Sequence, residues 1–139
     1  MKNPIPGGQQ GDLNEAFIND GSGNFSAEPS RLPSAIDNTS GIAAGDIDAD
    51  GDTDLIIGNL GQNLIYVNDG TDHFCDETAS RVPAIIDSTR KVVLADLDGD
   101  GDLDLVTGNS RNQQNRCDNN KSADLYGHYD RHRHYRPER

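Results

Sequence analysis

The sequence has no tryptophan, one methionine and only four tyrosines and three phenylalanines in 139 residues. Hydrophobic residues make up 32% of the chain and there are 15 glycines, so a large close-packed core is not expected. No apolar run approaches the ~18 residues that a membrane-spanning helix needs. The opening MKNPIPGGQQ lacks the apolar stretch of a secretion signal. There are two cysteines, Cys75 and Cys117, too few for a disulfide framework and without partners at zinc-ligand spacing. Cys75 reads as a small strand residue, and a bridge between the two is left open. Basic residues are scarce: 12 against 24 acidic ones, a net charge of −12 that disfavours nucleic acid and anionic membranes as partners. The few bases are unevenly spread. Residues 117–139 carry five of them against four acids, whereas residues 1–116 carry a net −13.

What is present is a repeat. FINDGSGNFSAEPSRLPSAID, from Phe17, matches YVNDGTDHFCDETASRVPAIID, from Tyr66. Asn19-Asp20-Gly21 aligns with Asn68-Asp69-Gly70, Phe25 with Phe74, and Arg31-Leu32-Pro33 with Arg81-Val82-Pro83. The unit is about fifty residues long. Short apolar runs recur within it, unlike in a disordered chain, and no segment sustains a helical period. The complete unit reads as four short strands: GIAAGD, DLIIGN, NLIYVND and HFCDET. An aspartate-rich loop joins the first pair, GNLGQ the second, and Asn68-Asp69-Gly70 the third, where Asp-Gly suits a type I′ turn. The stretch from Glu77 to Arg90 reads as the crossover to the next unit. Four-stranded antiparallel units of this length are β-propeller blades, with a twisting solenoid or a β-sandwich as the alternatives. The fold class expected is therefore all-β. Residues 1–22 form the end of a preceding blade, 23–91 a central repeat region, and 92–116 the start of the next blade. Residues 117–139, in which apolar alternation is lost, are expected to form a divergent, disordered tail. A metal site among its histidines His128, His132 and His134 is weighed and set below a solvated tail.

Ten of the 24 acidic residues lie in two loops, DIDADGDTDL at 46–55 and DLDGDGDLDL at 96–105. Carboxylates at alternating positions, with glycine at the sixth, are ligands for a hard cation. Ca²⁺ takes six to eight oxygens in flexible geometry, whereas Mg²⁺ demands a tighter octahedron. Asp46, Asp48 and Asp50 are placed to converge, Gly51 to make the sharp turn, Asp52 to offer its main-chain carbonyl and Asp54 to close the cage. Asp96, Asp98, Asp100, Gly101, Asp102 and Asp104 repeat this order. An EF-hand requires a glutamate at the twelfth position, where Ile57 and Thr107 stand, and a helix where strand sequence follows. A dockerin-like pair would also need helices. Two structural calcium ions, each inside a β-hairpin, are expected.

The pattern D-x-D-x-D-G-x-x-D-L, followed by an apolar strand and Gly-Asn, resembles the FG-GAP repeats. More closely it resembles the VCBS-type FG-GAP-like repeats, related to the calcium-binding propeller blades of integrin α-subunits. The resemblance covers roughly residues 13–116. It implies blades whose hairpin loops are held by calcium through Asp46, Asp48, Asp50, Asp52 and Asp54 in one and Asp96, Asp98, Asp100, Asp102 and Asp104 in the other. Propellers close with four to eight blades. About two are present, so no closed ring is expected from this chain by itself.

No nucleophile-and-base motif or zinc-protease motif occurs, and His73 reads as a surface residue. The expected function is a non-enzymatic, calcium-stabilised, extracellular module for adhesion or for binding a protein or carbohydrate. Further blades, or other copies of the chain, are expected at its exposed faces. The alternatives are a scaffold fragment of a secreted carbohydrate-active enzyme and a truncated gene product.

Overall fold

A computed structural model describes residues 11–110 and the backbone of 116–118. Its central unit is a four-stranded antiparallel blade: β5 (Thr39–Gly45), β6 (Asp54–Gln62), β7 (Leu64–Asn68) and β8 (Phe74–Asp76). Before it come β1 (Asp12–Leu13), β2 (Phe17–Asn19), β3 (Phe25–Ala27) and β4 (Ile36–Asp37), with β2 paired to β3 and β1 to β4. After it come a single helical turn α1 (Thr78–Arg81), then β9 (Ile86–Ala95), β10 (Asp104–Asn109) and β11 (Arg116–Asp118). The architecture is all-β and antiparallel, a run of partial and complete propeller blades that does not close on itself.

The repeat is visible in the register. Gly61 pairs with Asp87 and Gln62 with Ile86, where β6 meets β9. One repeat earlier, Asp12 pairs with Asp37 and Leu13 with Ile36. GNLGQ is thus not a loop, as its glycines suggest, but the second half of β6. That strand leaves β7 after Ile57 and pairs with β9 of the next unit over Leu60, Gly61 and Gln62. The Asn68-Asp69-Gly70 turn also differs from a type I′ hairpin. Positive φ falls on Gly70 (78°) and Asp72 (64°), separated by one residue, and Asp69 N–H donates to the His73 carbonyl at 3.0 Å. The longer loop is closed by side chains: Asn68 Oδ1 accepts from Gly70 N and Asp69 Oδ1 from Thr71 N. The tail is not featureless at its start, since β11 pairs with β10 through Cys117 opposite Val106. The rest of residues 117–139, with the three histidines, lies outside the described residues. Cys75 stands on β8 as an exposed free thiol.

The core forms between blades. Ile47, Ile56, Ile65 and Val67 of the central blade pack with Val92 and Leu105 of the next. Close approach there depends on Gly58, where a Cβ would come within 2.9 Å of Val92 Cγ1 and 3.0 Å of Thr89 Cγ2. The asparagine of each Gly-Asn pair ties together the first two strands of its own blade. Asn59 is buried, its Oδ1 accepting from Thr39 Oγ1 at 3.1 Å, and Asn109 Oδ1 accepts from Thr89 Oγ1 at 3.0 Å. Positions enclosed in the central blade are open in its neighbours: Ile47 is 8% exposed and its repeat partner Leu97 50%; Tyr66 is fully buried and its partner Phe17 is 55% exposed.

On the other side of the blade, Tyr66 is sealed with its hydroxyl unpartnered among the described residues. Burial, then the charges of Asp37 and Asp76, push its ionisation from the ordinary 10.0 up to about 12. A folded-state value above the unfolded one means that stability is intact below pH 10 and falls as pH rises through 12. The loss is on the order of 2 kcal/mol, at ~1.4 kcal/mol per pH unit between the two values. Denaturation curves at pH 9 and 12 measure it. Tyr66→Phe should flatten that alkaline loss and cost nothing at neutral pH, because it deletes an unpaired buried hydroxyl.

Candidate metal centre

Each acidic loop caps a hairpin at the same end of its blade, β5 to β6 and β9 to β10. The backbone wraps around the first carboxylate. Asp46 Oδ1 accepts from Asp50 N at 3.2 Å and Oδ2 from Gly51 N at 3.0 Å. In the second loop Asp96 Oδ1 accepts from Gly99 N at 2.7 Å and Oδ2 from Gly101 N at 3.1 Å. The wrap needs left-handed backbone at the fourth and sixth positions: Ala49 (φ 61°) and Gly51 (96°), then Gly99 (79°) and Gly101 (96°). Glycine takes this region freely, and Ala49 occupies it at a steric cost. The aspartate at the fifth position then turns the chain back, Asp50 Oδ1 accepting from Asp52 N at 2.9 Å and Asp100 Oδ1 from Asp102 N at 3.1 Å.

The last aspartate of each loop is the first residue of its strand and is buried, Asp54 fully and Asp104 to 2% exposure. Asp54 Oδ2 accepts from Ile47 N at 2.9 Å and Oδ1 from Asn68 N at 2.8 Å, tying the loop to the β7 end. Asp104 Oδ2 accepts from Leu97 N at 2.8 Å. Burial raises the Asp54 pKa above the ordinary carboxylate range, the two amides oppose that, and the charges of Asp48 and Asp50 add to it. A cation beside Asp54 would act in the opposite direction to the burial.

Of the ten aspartates singled out in the sequence, the structure gathers two triplets. Carboxylate oxygens of Asp46, Asp48 and Asp50 lie within 4.8 Å of one another, as do those of Asp96, Asp98 and Asp104. Asp54 is outside the first triplet, with both oxygens on backbone amides, and Asp100 is outside the second. Asp52 and Asp102 place no carboxylate in either group; the role read for them is a main-chain carbonyl. Oxygens on opposite sides of a calcium ion are ~4.6–5.2 Å apart, twice the metal–oxygen distance. Each triplet therefore fits the shell of a calcium ion with little movement. The donor set, all oxygen and mostly anionic, is that of a hard cation.

One contributor had no role assigned from the sequence. Arg81, at the end of α1, donates from Nη2 to Asp48 Oδ2 at 2.9 Å and from Nε to Glu77 Oε2 at 2.8 Å. Burial would lower its pKa, but the hydrogen bond and charge of Glu77, then those of Asp48, raise it. The signal was in the repeat, since Arg81-Val82-Pro83 recurs as Arg31-Leu32-Pro33. Arg31, however, bonds Asp72 through both its carboxylate and its carbonyl, each at 3.2 Å. Residue type alone did not reveal the partner.

Antiparallel blades in sequence, each with an acidic hairpin loop at the same end, define a propeller-type β-repeat protein. The FG-GAP-like repeat family model matches residues 7–57 and 46–107, which together cover most of the chain. The chain belongs to the FG-GAP-like repeat family. No curated protein and no solved structure shows a significant match to it.

Proposed function

We propose that this chain is a calcium-stabilised, non-enzymatic repeat module that serves outside the cell as a scaffold for adhesion or for binding a protein or carbohydrate. One observation carries the calcium reading: each of the two acidic loops gathers a triplet of carboxylates within 4.8 Å, sharing the first and third loop positions and differing in the third member. Three anions at that spacing repel one another, and a bound dication supplies the charge that draws them together. Asp46, Asp48 and Asp50 would hold one ion, and Asp96, Asp98 and Asp104 the other. Asp54 supports the first loop through Ile47 N and Asn68 N. Asp50 and Asp100 shape the turns, and Asp100, Asp52 and Asp102 complete the oxygen set read from the sequence.

The hairpins' chemistry also supports the extracellular setting. Calcium modules outside cells bind weakly, at ~10⁻⁴–10⁻³ M, which matches the concentration available there. In a structural role the ions would sit in the hairpin loops at the blade ends and brace their turns. Among the described residues no helix is long and apolar enough to cross a membrane.

Calorimetric titration with calcium tests the assignment. The wild type should take up two ions per chain, and the Asp46→Asn, Asp96→Asn double variant neither. Those positions are chosen because each is in a triplet and each substitution keeps the side-chain volume. Unchanged uptake by the double variant would remove the loops from the proposal.

A further inference from the structure

The first loop already has a positive charge against it. Arg81 Nη2 lies 2.9 Å from Asp48 Oδ2, with the two side chains 29% and 25% exposed, partly withdrawn from solvent. Asp48 is one of the three carboxylates of that loop's triplet. Arg81 is not free to swing away, because Glu77 Oε2 holds its Nε at 2.8 Å one helical turn back. The turn is itself anchored on β7: Thr78 Oγ1 accepts from Ile65 N at 2.9 Å and Glu77 N donates to the Ile65 carbonyl at 3.0 Å. The guanidinium is thus a fixed charge, delivered to the loop from the crossover between blades.

We propose that Arg81 is a built-in counter-cation for the first loop, which keeps the loop shaped when no ion is bound and weakens divalent-cation binding there. The proposal rests on the calcium reading above. Without an ion, neutralising Asp48 relieves part of the repulsion among Asp46, Asp48 and Asp50. With an ion, the same guanidinium stands beside a dication and repels it. Its partner oxygen on Asp48 is shared between two positive charges. Arg81 therefore positions a ligand and sets the affinity of the site without itself touching the metal.

Linkage makes the effect reciprocal: whatever factor Arg81 takes from cation affinity, the cation takes from the Arg81–Asp48 contact. Loading the first loop would loosen the link between the loop and α1, while the β7 anchors keep α1 in place. Calcium would in this way reach the crossover that leads to the next blade.

The experiment uses the full chain in an Asp96→Asn background, so that calcium titration reads the first loop alone. Arg81→Gln should raise calcium affinity about fivefold, the effect of a nearby fixed charge after solvent screening. The same variant should melt about 2–4 °C lower in chelator. Opposite signs are the signature, because a merely structural arginine would lower both quantities or leave affinity alone. Arg81→Lys, which keeps the charge, should bind calcium as Arg81 does. Glu77→Gln, which leaves Arg81 less compensated, should lower affinity about twofold, and it gives a reading even if Arg81→Gln does not fold. Unchanged or weaker binding by Arg81→Gln overturns the proposal, as does unchanged binding by Glu77→Gln. Absence of calcium uptake by the parent and every variant overturns the calcium reading itself, and this proposal with it.

Discussion

Calcium at about 10 mM should raise the unfolding midpoint of the cation-stripped protein by about 10–20 °C. The size follows from mass action. A ligand present at 100 times its dissociation constant adds ~2.7 kcal/mol per site, and the two loops act independently because they brace different blades. For a chain of this length each kcal/mol moves the midpoint by roughly 2–4 °C. Melting curves in chelator and in calcium measure the shift. Equal ionic strength in both excludes a general salt effect, which would act on exposed charges of all kinds. The Asp46→Asn, Asp96→Asn variant should show almost none of the shift. A wild-type midpoint indifferent to calcium would mean that the triplets hold no structural ion.

The second large effect is expected at Asp54, and it should not need calcium. Asp54→Ala removes an acceptor from both Ile47 N and Asn68 N, at 2.9 and 2.8 Å, in a fully buried place. The two amides lose these acceptors, at ~1–3 kcal/mol each. A small cavity opens beside the Ile47 and Asn68 backbone, so a total of about 3–5 kcal/mol is expected. Urea unfolding in chelator measures it. Asp54→Asn keeps one carbonyl acceptor but turns an N–H toward a donor, and should cost about half as much. A loss seen only in calcium would make Asp54 chiefly a metal ligand. A loss seen equally in chelator makes it first a brace for the hairpin, with the loop hung from it.

The strands were legible in the sequence because their signals are local. GIAAG, DLII, LIYVN and FCD alternate or cluster apolar residues between turn residues, and each appears as a strand. The loops were legible for the same reason: aspartate at every second position and glycine at the sixth is a pattern within nine residues. GNLGQ was misread because two glycines in five residues look like a turn. In the fold they belong to a strand that changes partner, pairing with β7 before Gly58 and with β9 after Asn59. The Asp69-Gly70 turn was misread because Asp72 also adopts positive φ, which no dipeptide rule anticipates.

The repeat, the four-stranded unit, the all-β class and the two acidic hairpins were all written in residue order, since each depends on residue type at fixed short spacing. Only the tertiary structure decided which carboxylates come together. Asp54 and Asp50 are four residues apart and of the same residue type, yet one is buried on two amides and the other stays in the loop with Asp46 and Asp48. Tertiary structure also set Arg81, 33 residues along the chain, against Asp48. Burial and long-range pairing depend on what neighbouring blades bring to a position, and neighbours in space are not written in the spacing of a single loop.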